Sequence, residues 1–213
     1  MGDALRVIGR ALRLWWSELL LLTVFNLAWL ALQVPIITGP PATAAMYVLA
    51  RRLADGELIQ FRDGWQALRQ MLWPAWQWGA LNLVIVVAVA GNFRFYAATP
   101  GLLWSVLRLA WGVIATLWFA VNLFYWPFWL AETTPRLDLT LRNGLLLFLK
   151  TPGLGLTILV ICTILIVVSV LTTLPLAAAL MAWLALLGVA GVDAALHPAE
   201  NAGPDTGVEI EPL

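Results

Sequence analysis

The stretch NLAWLALQVPIITGPPATAAMYVLARR, residues 26–52, decides how the rest of the chain is read. An apolar helix runs into a Pro/Gly break, small residues follow, and Arg51 and Arg52 close the stretch. Pro40 and Pro41 have no N–H and clash with a preceding helical turn, while Gly39 permits a sharp reversal, so the first helix must stop here. Pro41 suits the start of a second helix, where a missing N–H costs nothing, and Thr38 is placed to cap it. That helix, about 42–53, is only ~18 Å long at 1.5 Å per residue, short of a ~30 Å hydrocarbon layer. An extended segment over 33–40, buried against other helices, is expected to cover the missing depth.

Composition places this stretch in a membrane. The 213 residues are 62% hydrophobic and 11% charged, against roughly a quarter charged in soluble domains. Four gaps between charged residues, 19–50, 70–93, 109–131 and 151–192, are long enough for helices crossing a bilayer, and two of them can hold two segments. Net charge is zero but unevenly spread: nothing after Lys150 is basic, and the end of the chain carries Asp193, Glu200, Asp205, Glu209 and Glu211. No basic patch supports a nucleic-acid partner. The single Cys162 lies in an apolar run and reads as a packing residue. The first apolar stretch is longer than a signal-peptide core, and reads as an uncleaved helix.

Taken in order, residues 4–13 form a short basic helix suited to the interface, and Trp15 and Trp16 mark headgroup level. The first span is expected over 14–32, with Glu18 near enough to its end to reach water. Gly56 ends the second helix. Phe61, Trp65, Leu68 and Leu72 then face away from Arg62, Asp63, Gln66, Arg69 and Gln70, an amphipathic helix lying in the interface. The third span runs to about Ala90, and Gly91, Asn92, Arg94, Pro100 and Gly101 form an external turn. The fourth span covers about 103–130. Thr134 and Pro135 supply a cap and first-turn proline for a second amphipathic stretch, in which Leu137, Leu141, Leu145 and Phe148 oppose Arg136, Asp138, Arg142 and Asn143. Residues 154–192 hold two spans meeting near 172–175. The domain reading is one transmembrane unit over 1–193 and an acidic, disordered tail over 194–213.

Counting basic residues decides the topology. If the helix ending in Arg51 and Arg52 returns to the side it came from, ten of the 12 basic residues share one face and only Arg94 and Arg108 lie opposite. Without that return the basic charge splits between the two sides, against the positive-inside bias. The fold class is therefore all-α: a polytopic membrane bundle of six segments, the second one short, arranged as three hairpins joined by two cytoplasmic amphipathic elbow helices. Both termini are then expected to be cytoplasmic. Trp15, Trp16, Trp65, Trp73, Trp76, Trp78, Trp126 and Trp129 fall on the same side, as an aromatic belt.

Residues 26–30, the run 34–53, Pro127 and the segment Leu141-Arg142-Asn143-Gly144-Leu145-Leu146-Leu147 resemble the signature of the YesL-like family of bacterial membrane proteins, a domain of unknown function. The resemblance covers about residues 10–190, and departs from the family in pairing Pro40 with Pro41. It implies a link to carbohydrate uptake and brings no catalytic or binding residues with it.

Two constellations stand out. Asn26, Asn82 and Asn122 each lie some nine to eleven residues from the predicted cytoplasmic edge of their spans, ~14–16 Å deep. They read either as one polar intramembrane site or, the favoured reading, as interhelical hydrogen bonds. The turn Thr38, Gly39, Pro40, Pro41 and Thr43 either offers a positive helix end to an anionic or hydroxyl-rich ligand or is a close-packing joint, again the favoured reading. No Asp, Glu, Lys, Arg or His falls at mid-membrane depth, which speaks against ion coupling. Catalytic, metal and cofactor sets are absent from the pattern, so an enzyme is not expected. The function reading is a non-catalytic, transport-associated membrane subunit whose partners are the lipid bilayer and a membrane or cytoplasmic transport-system protein. The alternative is a scaffold or assembly factor without a transported ligand.

Overall fold

A computed structural model describes residues 2–97, 100–173 and 178–197. Among them every regular element is a helix: α1 (Gly2–Ser17), α2 (Leu19–Gln33), α3 (Gly39–Ala54), α4 (Phe61–Gln70), α5 (Leu72–Ala97), α6 (Leu102–Ala131), α7 (Leu137–Lys150), α8 (Pro152–Thr172) and α9 (Leu180–Leu196). Three of these, α5, α6 and α8, are long and apolar enough to cross a membrane, and the bent pair α1 and α2 would make a fourth. The acidic tail beyond His197 and Leu174 and Pro175 of the 172–175 junction lie outside the described residues, while α9 continues past the 193 boundary to Leu196.

The quoted stretch forms the hub. The helix α3 touches α2, α4, α5, α6 and α9, and Ala42, Ala44, Ala45 and Ala50 are buried along it. Small residues let neighbouring backbones approach, which is how helices associate where lipid is as apolar as leucine. α9 is the second buried helix: from Leu180 to Asp193 it exposes only the partly covered Trp183 and Leu184. Gly188 lets it approach α6 closely, because a Cβ there would lie 2.9 Å from the Leu123 carbonyl oxygen, 3.0 Å from Pro127 and 3.3 Å from Tyr47 of α3. Three residues later, nearly one helical turn, a Cβ on Gly191 would collide with Ile158 of α8 at 2.7 Å.

Several sequence expectations need correction. The first span does not run through 14–32: the chain breaks at Glu18, and α1 meets α2 at 92°. The basic, amphipathic α1 and the uncharged, mostly apolar α2 need different surroundings, and the bend falls where the charge pattern stops. Segment 33–40 is not extended. α3 starts at Gly39, with Pro40 and Pro41 in its first turn, and residues 34–38 form a compact turn in which Ile36 has a φ of 61°. Gly91, Asn92 and Arg94 are helical rather than a turn, since α5 continues to Ala97 and Asn92 Nδ2 donates to the Ala88 carbonyl. Thr134 and Pro135 do not open α7. Arg136 precedes its first turn, while Glu132 accepts hydrogen bonds from Thr140 Oγ1 and Asn143 Nδ2 at 2.9 and 2.8 Å. Trp126 does not belong to a belt, because it is fully buried beside Trp78 and Tyr125.

Other expectations correspond to the structure. Gly56 ends α3 with a φ of 81°, and the N–H groups of Gly56 and Glu57 return to the carbonyls of Leu53 and Arg52. α4 begins with a reciprocal cap in which the Gln60 N–H donates to Asp63 Oδ2 at 2.7 Å. Pro127 lies inside α6.

Candidate functional site

The turn at the head of α3 uses up its own hydrogen-bonding groups. Four N–H groups normally stand free at a helix start. Here Gly39 N–H donates to the Ile36 carbonyl at 3.1 Å, Ala42 N–H donates to the Thr38 carbonyl at 3.0 Å, and Pro40 and Pro41 have none to offer. Thr38 does not cap with its side chain: its Oγ1 donates to the Leu32 carbonyl at 2.6 Å. Thr43 Oγ1 donates to the Gly39 carbonyl and accepts from Trp29 Nε1 at 3.0 Å, tying α2 to α3. Trp76 Nε1 of α5 donates to the Ile37 carbonyl at 3.1 Å, and a Cβ on Gly79 would lie 2.9 Å from Pro40. Thr38, Gly39, Pro40, Pro41 and Thr43 thus assemble a packing joint of α2, α3 and α5.

The described contacts of the three asparagines lie in two places. Asn26 is completely buried, and its Oδ1 accepts from the backbone N–H groups of Met181 and Ala182 at 2.8 and 3.3 Å. Those are the second and third residues of α9, so a side chain of α2 caps a helix that begins inside the apolar body. Asn82 and Asn122 belong elsewhere, in a cavity of about 440 Å³ between α5 and α6 that Trp78, Trp118 and aliphatic residues also line. Trp118 Nε1 donates to Asn82 Oδ1 at 3.0 Å. The two amide nitrogens donate along their own helices, Asn82 to the Trp78 carbonyl and Asn122 to the Trp118 carbonyl. Asn122 Oδ1 is buried with no partner among the described residues.

An ionic knot closes the opposite end of α9. Asp193, buried despite its charge, pairs with Arg51 of α3 and, at 3.1 Å, with Arg10 of α1. Arg51 also pairs with Asp55 at 2.9 Å, and Arg52 pairs with Asp63 of α4 at 3.3 Å. Arg51 and Arg52 therefore join α3 to α9 and to α4. Sequence reasoning missed Asp193, grouping it with the acids of the tail. Its signal was that it is the one acid between Lys150 and His197. Among the described residues no group of three His, Cys, Asp or Glu side chains could hold a metal ion.

Comparison with known proteins bears on this same region. Residues 22–93 match the model of a protein family of unknown function, DUF624. The match runs from α2 through most of α5 and so includes Asn26, the turn, the Arg51 and Arg52 pair, α4 and Asn82. No curated protein and no solved structure matches the chain.

Proposed function

We propose that this integral membrane protein is a non-catalytic subunit associated with a transport system, with carbohydrate uptake as the class that the YesL-like resemblance suggests. In this reading the six membrane segments are α2, α3, α5, α6, α8 and α9, both termini are cytoplasmic, and α4 and α7 are elbows at the inner face of a bacterial inner membrane. Chain direction supports the count. Tyr47 and Arg51 of α3 meet Gly188 and Asp193 of α9 in the same order, so these two helices run parallel, as the second and sixth of six segments must.

The observation that carries the non-catalytic reading is how the buried polar groups are spent. Asn26 caps α9, and Asp63 and Asp193 are each held by arginine. Charge left over lies on the exposed faces of α4 and α7, at Arg62, Arg69 and Arg142, and Arg136 stands exposed just before α7 in a surface pair with Asp138, where a protein partner can reach it. Affinity purification of the full chain from native membranes tests this. A sugar-uptake component is expected with the wild type and not with Arg136→Glu/Arg142→Glu; its absence from the wild type overturns the transport reading.

The scaffold reading is favoured by a different observation. Gly188 and Gly191 seat α9 tightly against α3, α6 and α8. A defined sugar retained by the purified protein would count against it.

A further inference from the structure

Next to the turn, α2, α3 and α4 surround an apolar cavity of about 200 Å³ that opens on one side. Ala28, Trp29 and Met46 form part of its wall, and α4 contributes Phe61, Trp65 and Leu68. We propose that this cavity holds an acyl chain of an anionic phospholipid whose phosphate is bound by Arg62 and Arg69. The proposal is independent of the transport reading and needs only a chain embedded in a bilayer.

The pattern along α4 argues for an amphiphile. Phe61, Trp65 and Leu68 recur at i, i+4 and i+7 and line the cavity, while Arg62, Gln66 and Arg69 repeat the same spacing on the adjoining stripe. Arg62 and Arg69 therefore stand on the stripe of α4 next to the one that lines the cavity. Arg69 lies over the ring of Trp65, 4.9 Å from its centroid, so the cation is fixed on a side chain that is itself part of the wall. Neither Arg62 nor Arg69 has an ion-pair partner among the described residues, in contrast to Arg10, Arg51, Arg52 and Arg136. Paired guanidinium donors suit phosphate oxygens.

The walls decide the rest of the ligand. An apolar cavity of ~150 Å³ stays dry and accepts benzene, so a site of about 200 Å³ has room for a stretch of hydrocarbon. Left empty, its aromatic walls would forgo dispersion contacts. In a bilayer the fluid at its mouth is acyl chain.

The test uses the full chain in detergent, stripped of lipid and titrated with phosphatidylglycerol or phosphatidylcholine carrying identical oleoyl chains, with binding read by native mass spectrometry. Phosphatidylglycerol is expected to bind at least about tenfold more tightly, the scale of one or two charge-assisted contacts. Arg62→Gln/Arg69→Gln should abolish that preference. Ala28→Phe, which fills the cavity from α2, should weaken both lipids about tenfold with an unchanged or higher melting temperature, and Leu32→Phe replaces it if that variant does not fold. Equal binding of the two lipids by the wild type overturns the proposal, as does full binding by the cavity-filled variant. Competition by glycerophosphoglycerol, the headgroup without chains, at equal concentration would assign the site to phosphate alone and also overturn it.

Discussion

Replacing Asn26 by alanine should destabilise the protein by about 2–4 kcal/mol, and the structure explains the size. The side chain is fully buried, and its Oδ1 accepts at 2.8 Å from Met181 N–H and more weakly at 3.3 Å from Ala182 N–H. Alanine leaves both donors facing apolar side chains. A buried donor without a partner costs about 1–3 kcal/mol, and losing a helix N-cap costs about 0.5–2 kcal/mol; the two figures overlap rather than add fully. At roughly 2–4 °C per kcal/mol for a chain of this size, the melting temperature in detergent should fall by about 5–15 °C. Asn122→Ala is the internal control. It removes a buried oxygen with no partner among the described residues and a nitrogen that bonds to its own helix, so its melting temperature should stay level or rise. Equal losses for the two variants would refute the reasoning, because they would mean that the asparagines act as one cluster and that the α9 cap carries no special weight.

Other outcomes follow from the same contacts. Gly188→Val should lower the yield of folded protein sharply, because its Cβ would meet the Leu123 carbonyl and Pro127, neither of which can swing aside; size-exclusion profiles after membrane extraction check it. Asp193→Asn keeps the shape but removes the pairing with Arg10 and Arg51. A loss of about 1–3 kcal/mol is expected, below that of a fully buried pair because both arginines are partly exposed, and a double-mutant cycle with Arg51→Gln should show coupling. For topology, single cysteines at Arg94 and Arg62 should react with a membrane-impermeant maleimide from outside and inside respectively. The buried Cys162, whose surroundings are apolar, should stay unlabelled in intact cells.

What could be read from the sequence were features with local causes. Gly56 stops α3 because its φ is positive, and the stripe of Phe61, Trp65 and Leu68 marks α4, both from neighbours within a turn or two. Glu18 was misread because one acid in an apolar run looks tolerable at a span's edge, whereas the chain bends by 92° there. Counting depth along helices put three asparagines at one level but could not say which helix each one faces. Asn26 finds α9, and Asn82 finds Trp118. Asp193 was hidden for the same reason: its partners, Arg10 and Arg51, lie more than a hundred residues away in sequence, and no periodicity announces such a pairing.

The cap that Asn26 provides also sets a clock on biogenesis. Asn26 and Met181 are 155 residues apart, so at ~5–20 residues per second the amide waits roughly 8–30 s for the helix it serves to be made. During that interval Arg10 and Arg51 have no Asp193, and α3 lacks the neighbour that covers Tyr47. The centre of this bundle is built from its last helix. A nascent chain arrested anywhere before Leu180 would leave Tyr47 of α3, Phe124 of α6 and Ile158 of α8 without the helix that packs on them.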